Sequence, residues 1–366
     1  MARRKKNRNT RNKEVPPSTA GSSPKTSWRR WSLLAYLAIT VVALVAWRMR
    51  PAERIPVVAA KAALSSLEQL VAMAPQELEN MDIALMNLRC AEGLPGSEGL
   101  DLAAALKTLD QFAKHVDKET TRHFYRFSKS PEQFQNSEAY FRLMMMAVIL
   151  QEDMGVHYSP KRIEPLDDFQ PDEAFCADSR DVFLHGLTGP PMMGTCASLP
   201  VLYVAVGRRL GYPLFLSTTK NHLFLRWEDG RARLNMECTS DGFSSYEDDY
   251  YKTWPFKVTD EEIKAEGYLK TMTPTEELAC FLMMRGPCLM VAKHHQEALA
   301  IYRGACRLAP NIRTNQLTLA ANEHEVKRRM IHEMNLRMDG VDYFWDREET
   351  RRAAERAQRK KAEQNE

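Results

Sequence analysis

No two of the seven cysteines (positions 90, 176, 196, 238, 280, 288 and 306) stand at C-x-x-C spacing. No zinc ligand set can be read from them, and an odd count leaves at least one thiol unpaired in a monomer. A glycine-rich phosphate loop and a Rossmann fingerprint are also missing, so no cofactor is implied, nucleotide or metal. Neither sign of charge dominates: the formal net charge is +3 over 366 residues, and pI says little about partners. With 44% hydrophobic and 27% charged residues the chain has the balance of a folded protein. Acid is scarce in one place. Residues 1–30 contain ten Lys or Arg and only Glu14 on the other side.

That basic segment, rich further on in Pro, Ser, Thr and Gly, is expected to be disordered. It runs into Trp31 to Trp47, 17 residues without a charge, flanked by Arg29-Arg30 and Arg48. As a helix the run measures roughly 25 Å, near the lower limit for crossing a bilayer. A Trp at each edge suits the interfacial belt, and the heavier basic flank precedes the run. A single-pass anchor over 31–47 is therefore expected, with the N-terminus cytoplasmic and the main domain on the outer side. A cleaved signal is the rival, but no clear A-x-A site closes the run. Anchoring accounts for the basic residues without nucleic acid.

Helical spacing governs 57–170: Leu102, Leu106, Leu109, Phe112 and Val116 share a face, and 131–154 opens on Pro131 before Phe134, Phe141, Met145, Val148 and Ile149. Residues 171–257 change character. Thr195 is placed to cap a helix over 196–210, Gly211 to end it in a left-handed conformation, and Leu199, Leu202, Tyr203, Val206 and Leu210 to give it one buried stripe. Strand-like runs follow at Pro213 to Thr218 and His222 to Glu228. Asp229-Gly230 then signals a hairpin into a third run, Arg231 to Glu237. Residues 258–310 return to helix, with 274–310 resembling one tetratricopeptide unit. One such unit cannot bury its own face and must pack on the central domain or on a protein partner. Residues 311–366 end the chain in a charged helical tail.

Cys196 falls in the first turn of the expected helix. There the positive partial charge and free backbone N–H groups favour thiolate and suit an oxyanion. Gly194 would let backbone and substrate approach. With Asp229-Gly230 at the hairpin tip, the numbers of opposed residues sum to 459 (229 + 230), which sets His222 opposite Glu237. Opposed side chains share a face, so Glu237 can accept from one imidazole nitrogen and leave the other to the thiol. The same register sets Arg226 against Arg233, a like-charged pair.

Gly194-Thr195-Cys196-Ala197-Ser198-Leu199-Pro200, Leu210-Gly211-Tyr212-Pro213 and His222-Leu223-Phe224-Leu225-Arg226-Trp227 together resemble the core of the transglutaminase-like superfamily. The nearer likeness is to a bacterial branch whose core is followed by a tetratricopeptide-like region. Asn235-Met236-Glu237-Cys238-Thr239 stands where many members carry Asp-Pro-Thr. Arg122 to Phe127 and Ser137 to Arg142 also look like that branch, and the likeness covers roughly residues 80–310. It implies an α+β fold with a papain-like core, a Cys-bearing helix on a small antiparallel sheet. It also implies acyl transfer through a thioester: Cys196 as nucleophile, His222 as base and then acid, and Glu237 orienting His222. A peptide or protein would be the substrate, and water or an amine the acceptor. Thr195, Asn221 and His185 are further candidates to line the site. Tyr246, Tyr250, Tyr251 and Trp254 either rim a cleft or pack a loop over the sheet. The alternative is a catalytically inert, membrane-tethered scaffold whose helices bind a protein partner.

Overall fold

The computed structural model describes residues 66–160, 173–332, 334–335, 351–352 and 355. The expected basic segment and the expected membrane helix over 31–47 lie outside these residues. Among the described residues no helix is long and apolar enough to cross a membrane.

The architecture is α+β. After two short helices, Leu67–Ala72 and Pro75–Leu78, come α1 (Ile83–Ala91), α2 (Leu102–Lys129) and α3 (Glu138–Val148). Strand β1 (His157–Tyr158) pairs in parallel with β2 (Met193–Gly194), and α4 (Leu199–Arg209) follows. Strands β3 (Leu214–Thr219), β4 (His222–Glu228) and β5 (Arg233–Met236) form an antiparallel sheet in the order β3-β4-β5. Helices α5 (Pro274–Val291) and α6 (His295–Leu308) make the expected helical hairpin, and a further helix occupies 313–332.

Local chemistry sets several boundaries. Leu109, Phe112 and Val116 of α2 are buried as their spacing predicts. Expected helix 131–154 is broken: a 3-10 turn from Pro131 ends where Gln135 and Asn136 adopt φ of 55°. Ser137 then caps α3, which passes into a π-helical turn at Ile149–Asp153 and leaves Val148 exposed.

Helix α4 is not the one-striped helix anticipated. Every residue from Leu199 to Gly207 is buried, so it runs through the core and is covered on all sides. Its end is as the sequence suggests: Gly211, at φ 74°, donates to the Arg208 carbonyl, and the Tyr212 N–H donates to that of Gly207. The last-turn arginines reach outward. Arg209 bonds Asp82 and Asp110, and Arg208 forms a two-pronged pair with the buried Glu277 of α5. Burial raises the Glu277 pKa, and Arg208 opposes that rise.

The β4–β5 register differs from the expected one. Leu225 faces Met236, Arg226 faces Asn235 and Glu228 faces Arg233, so opposed numbers sum to 461 (225 + 236). The cause is the Asp229 side chain, which accepts from the N–H groups of Arg231 and Ala232. This makes Asp229 the first residue of a four-residue loop, not the first of a two-residue turn. The displaced centre removes the Arg226–Arg233 opposition: Arg233 pairs with Glu228, and Arg226 donates from Nε to Asn235 Oδ1 at 2.7 Å.

Arg226 is fully buried. Its other guanidinium nitrogens hold the Leu269 carbonyl and Asp248, drawing the segments after β5 around the sheet. Along the outer edge of β3, Leu269 N–H donates to Thr218 and Met272 N–H to Leu216, which covers an otherwise open strand.

Candidate functional site

Cys196 precedes regular helix, in a turn one step earlier than expected. That turn is tied at both ends. Thr195 N–H donates to Ser198 Oγ at 3.0 Å, and Thr195 Oγ1 accepts from Ala197 N–H at 3.2 Å while donating to the Asp181 carbonyl at 2.6 Å. The Thr195 carbonyl accepts from both Ser198 and Leu199. The turn therefore uses the N–H groups of Thr195, Ala197, Ser198 and Leu199, and the one it does not use is Cys196's own. This narrows the sequence expectation that several free N–H groups surround the thiol. Gly194 has a packing reason: a Cβ there would lie 2.9 Å from Ser198 Oγ and 3.0 Å from Leu187.

His222 opens β4 directly after the Lys220-Asn221 turn, where Asn221 takes φ 57°. Its Nε2 lies 2.7 Å from Glu237 Oε2, with the two side chains only 5% and 2% exposed. A two-residue register shift keeps every side chain on its face. His222 and Glu237 thus remain on one side of the sheet as diagonal neighbours, and the long glutamate side chain spans the diagonal. Glu237 is itself held: its Oε1 accepts from the Thr239 hydroxyl at 2.6 Å and from the Thr239 N–H at 3.0 Å.

The Cys196 thiol also acts on the imidazole and favours its charged form. With Nε2 on Glu237, Nδ1 is the nitrogen left for the thiol. Burial pulls the His222 pKa down, but Cys196, the bond to Glu237 and the Glu237 charge outweigh it and raise it to about 9. Burial pushes Glu237 up, whereas His222 and Thr239 hold it below the usual carboxylate value. The pair is an imidazolium and a carboxylate at neutral pH.

Rings close the site on one side. Trp254 meets His222 edge-on at 4.7 Å, Tyr250 stacks on Trp254 at 5.3 Å, and Tyr246 stacks on Tyr250 at 4.0 Å. Tyr251 lies flat on Phe224 at 3.8 Å. The aromatic segment thus packs on the sheet and shields His222, yet Cys196 stays partly exposed. A cavity of about 380 Å³ lies between Leu199 and Tyr203 of α4, Tyr158 of β1 and the 238–242 segment. Gln151 pins that segment, donating to the carbonyls of Ser240 and Gly242 and accepting from Gly242 N–H.

Three sequence candidates gather here, and the other three divide. Thr195 supports the Cys196 turn, Asn221 shapes the turn before His222 and is exposed, and His185 bonds Ser179 Oγ at 3.1 Å, outside the Cys196–His222–Glu237 group. Sequence reasoning missed the role of Thr239, and it left Trp254 open between rimming a cleft and packing over the sheet, where it meets His222. Only the closeness of Thr239 to Glu237 could have signalled that role. Comparison with protein-family models, curated proteins and solved structures gives no match. Among the described residues no group of His, Cys, Asp and Glu is arranged to hold a metal ion.

Proposed function

We propose that the chain is a thiol-dependent acyl transferase or hydrolase acting on peptide or amide bonds. The reading rests on one observation: a buried imidazole bonded to the Glu237 carboxylate, its charged form favoured also by the partly exposed Cys196. An imidazolium beside a thiol favours the thiolate, which is the nucleophile. Cys196 Sγ attacks the carbonyl carbon, and the oxyanion forms next to the Cys196 N–H. His222 Nδ1–H gives its proton to the departing amine, leaving a thioester on Cys196. Water or an amine then attacks the thioester while His222 takes the proton back. Glu237 keeps Nε2 protonated and the ring oriented throughout, and Thr239 keeps Glu237 in place.

The order of parts also supports a transglutaminase-like, papain-like core, with the cysteine ahead of the central helix and the histidine and acid on the following antiparallel strands. The resemblance of the Cys196 and His222 motifs points the same way. On this reading residues 31–47 anchor the protein and the substrate is a peptide or protein met on the outer side. The test is trapping of the acyl-enzyme. Full-length protein is incubated with a set of N-acetylated peptide amides, quenched in acid and mapped by mass spectrometry. An acyl adduct on Cys196, absent in His222→Ala, is expected. No adduct with any peptide, beside ordinary labelling of Cys196 by a small alkylating agent, would leave an inert site and favour the scaffold.

A further inference from the structure

The Glu237 carboxylate is fixed from within a loop. Its N–H donates to the Ser244 carbonyl at 2.9 Å and closes residues 237–244 at their base, while Thr239 bonds Oε1 from inside. Residues 238–243 form no helix or strand, so the loop is held by side chains. On the far side Phe243 meets the Tyr140 ring of α3 edge-on at 4.9 Å. Between Thr239 and Gly242 the hold comes from Gln151, half-buried in the π-helical turn Ile149–Asp153. Gln151 Oε1 accepts from the Gly242 N–H at 2.6 Å and Nε2 donates to the Gly242 carbonyl at 3.2 Å, so one amide bonds both backbone groups of one residue. The same Nε2 reaches the Ser240 carbonyl at 3.3 Å and the hydroxyl of the buried Tyr203 of α4 at 3.2 Å. Gly242 sits at φ 73°, a left-handed conformation that glycine adopts without steric cost.

We propose, on the reading of Cys196, His222 and Glu237 as one unit, that Gln151 is a positioning residue: by holding the 240–242 segment it keeps Thr239 on Glu237, and so keeps the Glu237 carboxylate against His222. Ser240 directly follows Thr239 and Gly242 stands two residues further on, so a shift at the loop tip reaches Thr239 with little chain to absorb it. The hydroxyl and N–H of Thr239 help hold Glu237 in its charged form. Without them Oε1 loses two donors, and the long side chain gains freedom to turn Oε2 away from the imidazole.

The groups that bear on the imidazole are Cys196 ahead of α4, Glu237 after β5, and the rings of Tyr251 and Trp254 in the covering segment. Gln151 bonds none of them; its partners are Tyr203, Ser240 and Gly242. Two routes therefore lead from Gln151 to His222, one through the loop to Glu237 and one through Tyr203 and α4 to Cys196. The loop route is assigned because three of the four Gln151 bonds end on it, one of them at the residue next to Thr239.

Ring-labelled histidine NMR of full-length protein follows the His222 midpoint, with the signal assigned by its loss in His222→Ala. Gln151→Met removes all four bonds at nearly constant length and adds no charge. Its midpoint should fall by about half a unit or more from the native one, and amide exchange over 239–242 should quicken. In a Glu237→Gln background the same substitution should move the midpoint no further, because it acts through the carboxylate. Gly286→Ala, which disturbs the remote contact of α5 with Tyr302, should lower the melting temperature and leave the midpoint in place. If Gln151→Met does not fold, the milder Gln151→Asn is held to the same criteria. A fall smaller than about half a unit would overturn the proposal. So would an equal fall with and without the Glu237 carboxylate, which would put the effect on the Tyr203 route. The activation of Cys196 is judged separately: Cys196 alkylation that is unchanged in His222→Ala would contradict that reading, whatever the Gln151 midpoint.

Discussion

Removing the Glu237 charge should be felt first at His222. Glu237→Gln preserves shape and leaves a neutral amide 2.7 Å from Nε2, in a site where both side chains are at most 5% exposed. In the native protein His222 titrates near 9, against an ordinary value of 6.5. That 2.5-unit rise (9 minus 6.5) corresponds to about 3 kcal/mol favouring the charged ring. Burial acts the other way and the Cys196 contribution stays in place, so the variant's midpoint should fall below the native one.

His222 contributes fully below its unfolded pKa of about 6.5, and the contribution fades as pH climbs through about 9. Native protein should therefore lose about 3 kcal/mol between those limits, and Glu237→Gln should lose less. Ring-labelled histidine NMR gives the midpoint, and denaturant titration across the same pH range gives the stability. A variant midpoint within about half a unit of the native one would mean that Glu237 does not hold the imidazolium, and its orienting role at His222 would be wrong.

Other expectations are structural. Arg226→Met leaves Asp248 and the Leu269 carbonyl without their buried partner, so a loss of about 3–5 kcal/mol is expected by denaturant unfolding, with faster amide exchange over 268–272. Thr195→Val removes the bonds to Asp181 and Ala197; it should cost about 1–2 kcal/mol and slow Cys196 alkylation while leaving the His222 midpoint in place. Gly286→Ala sets a methyl 2.2 Å from a Tyr302 ring atom, which should separate α5 from α6 and lower stability by about 1–3 kcal/mol, read as a drop in melting temperature.

Much of this was legible because local signals carried it. The Gly211 stop, the strand from His222 to Glu228 and the pairing of α5 with α6 each follow from nearby residues, whereas Thr195 braces the turn before the helix instead of capping it, the N-cap being Ser198. The hairpin register did not, because Asp229 bonds two backbone N–H groups and shifts the turn centre. The His222–Glu237 pairing survived that error since an even shift keeps the faces. The expected register sets Arg226 against Arg233 as a like-charged pair. Arg226 is instead the buried tie of the sheet, and its partners Asp248 and Leu269 lie 22 and 43 residues away. Trp254 reaches His222 by the same kind of long-range packing, which no short motif announces.

The central claim is that Cys196 is an activated thiol. Full-length native protein and His222→Ala would be alkylated with a small neutral reagent from about pH 5 to about pH 9, and each of the seven cysteines quantified by mass spectrometry. Cys196 alone should react well below about pH 8, and this reactivity should disappear without His222. A Cys196 that reacts no faster than the other six, or just as fast in His222→Ala, would contradict the claim.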